Sequence, residues 1–179
     1  MSDPLIRIED AGPLGMVTLR ADLKGAGTST ALAFSGLEIP APRGVTGTPE
    51  KGVLWMSPDE LMILTAPGAA DDMVDAMSEA FEGAHALVVN VSDARSVFRL
   101  TGQGGAIREV LAKLSPADMR EKSLPVGTLR RTRLAQVPAA FWFSSDNEAL
   151  LICFRSVSDY VHDLLSKVAE PGSAVGYFT

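Results

Sequence analysis

Apolar and polar positions alternate in blocks along this chain, and the period of the pattern changes from block to block. Residues 14–21 (LGMVTLRA) have the composition of a strand. Residues 53–57 (VLWMS) and 60–65 (ELMILT) are short apolar runs separated by Pro58-Asp59, which predicts a tight hairpin. After the Pro67-Gly68 break, Met73, Met77 and Phe81 recur every fourth residue and Val74 widens their face. This is helical spacing; Asp71 and Asp72 sit where the macrodipole favours acids, and Gly83 marks the end. Residues 86–92 (ALVVNVS) predict a buried strand, and 96–101 (SVFRLT) a second one after the Asp93-Ala94 turn. Gly102 to Gly105 then leads into a helix with Ile107, Val110, Leu111 and Leu114 on one face. Ser115-Pro116, with Asp118 three residues after the serine, predicts a further short helix, and 124–127 a turn.

From residue 128 the period returns to that of strands: LRRTRLAQV, PAAFWFS and, past the turn Ser145-Asp146-Asn147, EALLICF. Pro138 belongs at a strand start or bulge, because it cannot donate to a central ladder. The last helix carries an apolar stripe of Val157, Tyr160, Val161, Leu164, Leu165 and Val168, with Ser156 as its expected cap and Pro171-Gly172 as its stop. Strand pairs interleaved with helices predict an α+β fold, mostly antiparallel, with helices packed on one face of the sheets. Residues 1–50 are rich in Gly, Pro, Ala and Thr and read as a loop-rich N-terminal segment with one strand. Residues 51–179 form the ordered region. It divides into two closely packed α+β subdomains, 51–85 with the N-terminal segment and 86–179.

Composition narrows the functional classes. Of 179 residues 46% are hydrophobic, enough to build a core. The net charge of −6 argues against nucleic acid and anionic membranes, which need a cationic surface. No apolar run approaches the roughly 20 residues that span a bilayer. The N-terminus lacks the basic and apolar regions of a signal peptide, and the single cysteine, Cys153, excludes an intrachain disulfide. A cytoplasmic location is expected.

Candidate chemistry is sparse. His85 and His162 have no evident partner, and the chain lacks HxxxH, HxH and CxxC spacings, so neither a catalytic residue nor a metal site is assigned. Asp59 and Glu60 could supply an acid/base pair, yet in a hairpin their side chains point to opposite faces or into solvent. Gly102, Gly104 and Gly105 lie between a strand and a helix, where backbone N–H groups can bind an anion. Arg131 and Arg133 share one face of their strand and could dock a partner or hold carboxylates in two-point fashion.

Four phrases stand in order: VLWMSPDELMIL (53–64), VVNVSDARSVFRLTG (88–102), IREVLAKLSPADM (107–119) and LPVGTLRRTRLAQVPAAFW (124–142), continued by LLICFRSVSDYVHDLL (150–165). Together they resemble the gamma subunit family of heterotetrameric sarcosine oxidase over residues 50–168. The resemblance implies a fold similar to the folate-binding fold of the aminomethyltransferases (the glycine-cleavage T protein). It implies an accessory, non-catalytic role in oxidative demethylation of sarcosine to glycine, linked to tetrahydrofolate. It also implies alpha, beta and delta subunits as partners. FAD, FMN, NAD and tetrahydrofolate are then expected on those partners, a zinc on delta, and no cofactor on this chain. Two alternatives remain open: a stand-alone folate- or amino-acid-binding protein using the Arg131/Arg133 face, and a small enzyme using Asp59 or Glu60 as base.

Overall fold

A computed structural model describes residues 3–178; Met1, Ser2 and Thr179, at the ends of the expected N-terminal segment and second subdomain, lie outside the described residues. The elements run β1 (Arg7–Asp10), β2 (Gly15–Arg20), α1 (Ala26–Ser35), β3 (Val45–Gly47), β4 (Gly52–Ser57), β5 (Glu60–Thr65) and α2 (Ala70–Glu79). They continue with β6 (Leu87–Asn90), β7 (Arg95–Thr101), α3 (Gly104–Leu114), β8 (Arg130–Leu134), β9 (Val137–Ser145), β10 (Glu148–Phe154) and α4 (Ser158–Val168). The fold is α+β, with two five-stranded antiparallel sheets ordered β3-β4-β5-β2-β6 and β1-β7-β10-β9-β8. The first sheet lies in the unit Pro13–Asp93, the second in a unit of residues 3–12 and 94–178. β1 belongs to the later unit because it pairs with β7, Ile8 opposite Leu100.

In the unit Pro13–Asp93, strand alternation turns Val17, Leu19, Val53, Leu61 and Ile63 toward one face, where α1 contributes Ala31 and Leu32, and α2 contributes Met77. The α2 stripe predicted from spacing is the face that packs: Met77 is fully buried and Phe81 nearly so. In the other unit Phe98, Leu100, Phe141, Phe143, Leu151 and Cys153 face α3 and α4, which supply Ile107, Val110, Leu111, Val161 and Leu165. Burying a Leu or Phe side chain contributes roughly 1.5–3 kcal/mol, and the opposite faces of the two sheets also bury large side chains, among them Leu54, Met62, Leu150 and Trp142.

Five local expectations differ from the structure. Residues 26–35, which read as loop, form α1. The stretch AGTSTALAFS has poor helix propensity, but burial of Ala31 and Leu32 outweighs it. Thr28 donates to the Asp22 carbonyl, and Gly36 closes the helix in the left-handed conformation at φ 67°. The strand expected to be buried at 86–92 is the edge strand β6, with Leu87 51% and Val89 38% exposed. No helix follows Ser115, whose backbone is extended; Arg108 instead supplies a hydrogen-bonding partner to the carbonyls of Met119 and Leu124 in that irregular stretch, at 2.7 and 3.0 Å. The expected strand 129–137 breaks at Ala135 (φ 50°), making a two-residue connection between β8 and β9, and Pro138 falls second in β9, opposite Arg133. The last helix begins at Ser158 behind a 3-10 turn at Arg155–Val157, without a side-chain cap, and Tyr160 of its stripe is 44% exposed.

Candidate functional site

Arg131 and Arg133 lie on β8, an edge strand, and both are exposed. Their register partners on β9 are Ala140 and Pro138, whereas Arg130 pairs with Phe141, a residue of the helix-covered core. Alternation therefore puts Arg131 and Arg133 on the sheet face away from α3 and α4. Arg99 shares that face: its neighbour across the ladder is Leu150, and its guanidinium holds Glu148 at 2.5 Å. Glu148 also accepts from the Ser144 hydroxyl at 2.6 Å. Arg95, four residues before Arg99, stacks over the Phe154 ring at 4.0 Å. The guanidiniums thus lie in two groups, on β7 and on the edge strand β8, and between them the same face buries Leu150, Ile152, Ala140 and Trp142.

Gly102, Gly104 and Gly105 are on the other side. α3 starts there and packs on the helix-covered face, so the structure does not bring the glycine turn together with Arg131 and Arg133. The glycines have a packing role. A Cβ on Gly104 would sit 2.3 Å from the Asp146 carbonyl oxygen, and one on Gly105 would sit 2.2 Å from that of Phe178. The Gly102 N–H donates to the Asn147 carbonyl at 3.1 Å. Carbonyl oxygens of the β9–β10 turn and the C-terminal tail already stand against this backbone, which does not fit a phosphate cradle.

α3 also carries residues that sequence reasoning missed. Arg108, only 5% exposed, lies over the Phe143 ring at 4.2 Å while donating to two carbonyls. Burial pulls its pKa below the ordinary arginine value, and the charges of Glu121 and Asp146 partly restore it. Glu109, 6% exposed, accepts hydrogen bonds from the backbone N–H groups of Val175 and Gly176. Those bonds, the Val175 one first, hold its pKa below the ordinary carboxylate value despite burial. One turn on, Lys113 donates to the carbonyls of Val168 and Ser173 at 3.0 and 2.7 Å. The pair grips the tail from both polarities. The i,i+4 spacing was visible in sequence, but nothing there pointed to residues 55 to 67 positions away.

The remaining candidates are tied into structure. Asp59 and Glu60 close the β4–β5 hairpin, with Ser57 opposite Glu60; the Ser57 hydroxyl donates to Asp59 at 2.5 Å. Arg20 stands 3.6 Å from Asp59 and 3.5 Å from Glu60. His85 and His162 are exposed, the latter tilted against Phe98 with ring centroids 6.1 Å apart. Cys153 is buried, and desolvation pushes its thiol up to about 11, against the lowering influence of Arg95. It stays a neutral thiol at pH 7, poorly suited as nucleophile or ligand. Among the described residues no group of three or more His, Cys, Asp or Glu is placed to hold a metal ion, and no helix is long and apolar enough to cross a membrane.

Comparison with known proteins gives four likenesses. Residues 21–170 match the model of the sarcosine oxidase, gamma subunit family. The sarcosine oxidase subunit gamma of Corynebacterium sp. (strain U-96) is 29% identical over 162 residues, covering 87% of this chain and 76% of that protein. In solved structures, a chain of the heterotetrameric sarcosine oxidase from Corynebacterium sp. U-96, in complex with pyrrole 2-carboxylate, superposes with a TM-score of 0.85 at 24% identity, over 97% of this chain and 89% of that one. The glycine cleavage system aminomethyltransferase T from Bartonella henselae shares the fold at a TM-score of 0.63 and 14% identity, over 90% of this chain and 45% of that one.

Proposed function

Because the chain belongs to the sarcosine oxidase gamma subunit family, we propose that it is an accessory, non-catalytic subunit of a sarcosine oxidase, an enzyme that demethylates sarcosine oxidatively. The observation that carries this reading is the family match across 21–170. The state of the titratable groups supports the non-catalytic part: Glu109 is committed to the tail amides, Asp59 and Glu60 neighbour Arg20, and burial keeps Cys153 protonated. Catalysis in the proposed enzyme then rests with alpha, beta and delta subunits, which hold FAD, FMN, NAD and tetrahydrofolate in the cytoplasm. The face bearing Arg131 and Arg133 is a candidate contact with one of them, its exposed guanidiniums matching carboxylates on a partner.

Co-expression with the other three subunits, followed by affinity capture on a tag carried by this chain, tests the reading. The captured material is expected to show flavin absorbance and to oxidise sarcosine. Capture of this chain alone, together with unchanged activity when it is left out, would overturn the reading. Calorimetry of the isolated chain with tetrahydrofolate addresses the stand-alone binding alternative; saturable heat at millimolar ligand would favour it, with Arg131→Ala/Arg133→Ala abolishing that heat.

A further inference from the structure

The two sheets have four edges, and three are defended against pairing. β1 carries Arg7, Glu9 and Asp10; β8 carries Arg130, Arg131 and Arg133; β3 is three residues long and ends in glycine. Charges and brevity are the usual means by which an edge is kept from acquiring another strand. β6 reads Leu87-Val88-Val89-Asn90 and has no charged residue. Val88 turns toward the helix-covered core, while Leu87 and Val89, on the opposite face, are 51% and 38% exposed.

The phase of the ladder identifies the free backbone groups. β6 pairs with β2 in the register Leu19 opposite Val88 and Val17 opposite Asn90, and the Val91 N–H donates to the Met16 carbonyl. In an antiparallel ladder hydrogen-bonded pairs alternate with non-bonded ones. Val89 and Leu87 therefore bond to β2, and the N–H and C=O groups of Val88 and Asn90 point outward from the sheet. Beside this edge lies α2, fastened to it by the Asn90 side-chain amide donating to Asp71 at 2.7 Å. α2 and the turn after it expose Asp71, Asp72, Asp75, Glu79 and Glu82, and no Lys or Arg occurs between Lys51 and Arg95.

We propose that the outer edge of β6 is a docking edge that takes an extended segment of a fellow subunit as a sixth strand. The segment would carry apolar side chains at alternate positions, to cover Leu87 and Val89, and lysine or arginine beside them, to meet the α2 carboxylates. The proposal rests on the subunit reading above. A second copy of this chain is a poor occupant, because pairing β6 with β6 would bring two acidic α2 helices together.

The test uses the assembled complex. Amide exchange is compared between the isolated chain and the chain co-purified with its co-expressed subunits, alongside the double variant Leu87→Lys/Val89→Lys. Both side chains are exposed, so the variant is expected to melt like the parent. The proposal expects the Val88 and Asn90 amides to become protected only in the complex, and the variant to bind the other subunits at least tenfold more weakly. If the complex forms with those amides exchanging as in the free chain, or if the variant assembles normally, the docking edge is overturned and the subunit reading stands. Protection in the isolated chain that grows with its concentration would assign the edge to self-association instead. Failure of any complex to form would remove both. Should the variant misfold, exchange in the wild-type complex still decides.

Discussion

Glu109 shows how one residue acquires meaning only in three dimensions. Its carboxylate is held charged by the tail N–H groups of Val175 and Gly176. Replacing it with glutamine puts an amide donor where one acceptor stood, and an unmade hydrogen bond to a charged group costs about 1.5–3 kcal/mol. Glu109→Gln is therefore expected to raise exchange at residues 175 and 176 by one to two orders of magnitude, read by NMR. The pH dependence follows from the same contact. The folded pKa is lowered, so the stabilisation is complete above the unfolded value of about 4.3 and is lost as pH falls through the still lower folded value. Tail exchange in the parent should thus be flat from pH 7 to about 5, once corrected for intrinsic rates, and rise steeply below that. A tail that loosens already at pH 6 would contradict the assignment. Of these contacts the sequence shows only the Glu109/Lys113 spacing, because hydrogen bonds to a distant backbone leave no local pattern.

Among the elements, the turn before α3 separates two glycine effects. At the start of a helix, alanine normally replaces glycine with a gain of up to about 1 kcal/mol. At Gly104 the new Cβ would meet the Asp146 carbonyl oxygen at 2.3 Å, so the clash is expected to win and Gly104→Ala to destabilise by about 1–3 kcal/mol. Gly68, with nothing within 4 Å of its would-be Cβ, is the control and should change little. Chemical denaturation of both variants checks the sign. The strands offer a second contrast. Leu151→Ala removes a fully buried side chain facing α3 and α4 and should cost about 2–5 kcal/mol, whereas Arg131→Ala/Arg133→Ala, at exposed positions of the edge strand, should stay within about 0.5 kcal/mol per site. Element types followed from period: α2, α3, α4 and the hairpin at 52–65 all appear where apolar spacing predicts them. α1 and the break at Ala135 were not readable. In α1 burial overrules propensity, and Ala135-Gln136 carries none of the glycine or asparagine that usually signals a positive φ.

For the whole molecule, charge is unevenly shared. Residues 13–93 hold eleven carboxylates against four Lys and Arg, while the rest of the chain holds eleven against twelve, so the acid surplus lies in one unit. If that surface meets a basic partner segment, assembly with the other subunits should slow and weaken as salt shortens the Debye length from about 10 Å at 0.1 M to about 3 Å at 1 M. Association measured across that range is expected to fall at least tenfold; a flat response would mean the acidic unit faces solvent in the complex. The sequence by itself determined the α+β class, most of the strands and helices, and, through five ordered phrases, the family. These depend on local period and on the order of motifs, which a linear string records. Tertiary structure alone decided that 87–90 is an edge, that Arg131 and Arg133 lie on the face opposite the glycine turn, and that α3 grips the tail. Each is settled by which strand becomes whose neighbour, and that is a competition among long-range burials that no local window contains.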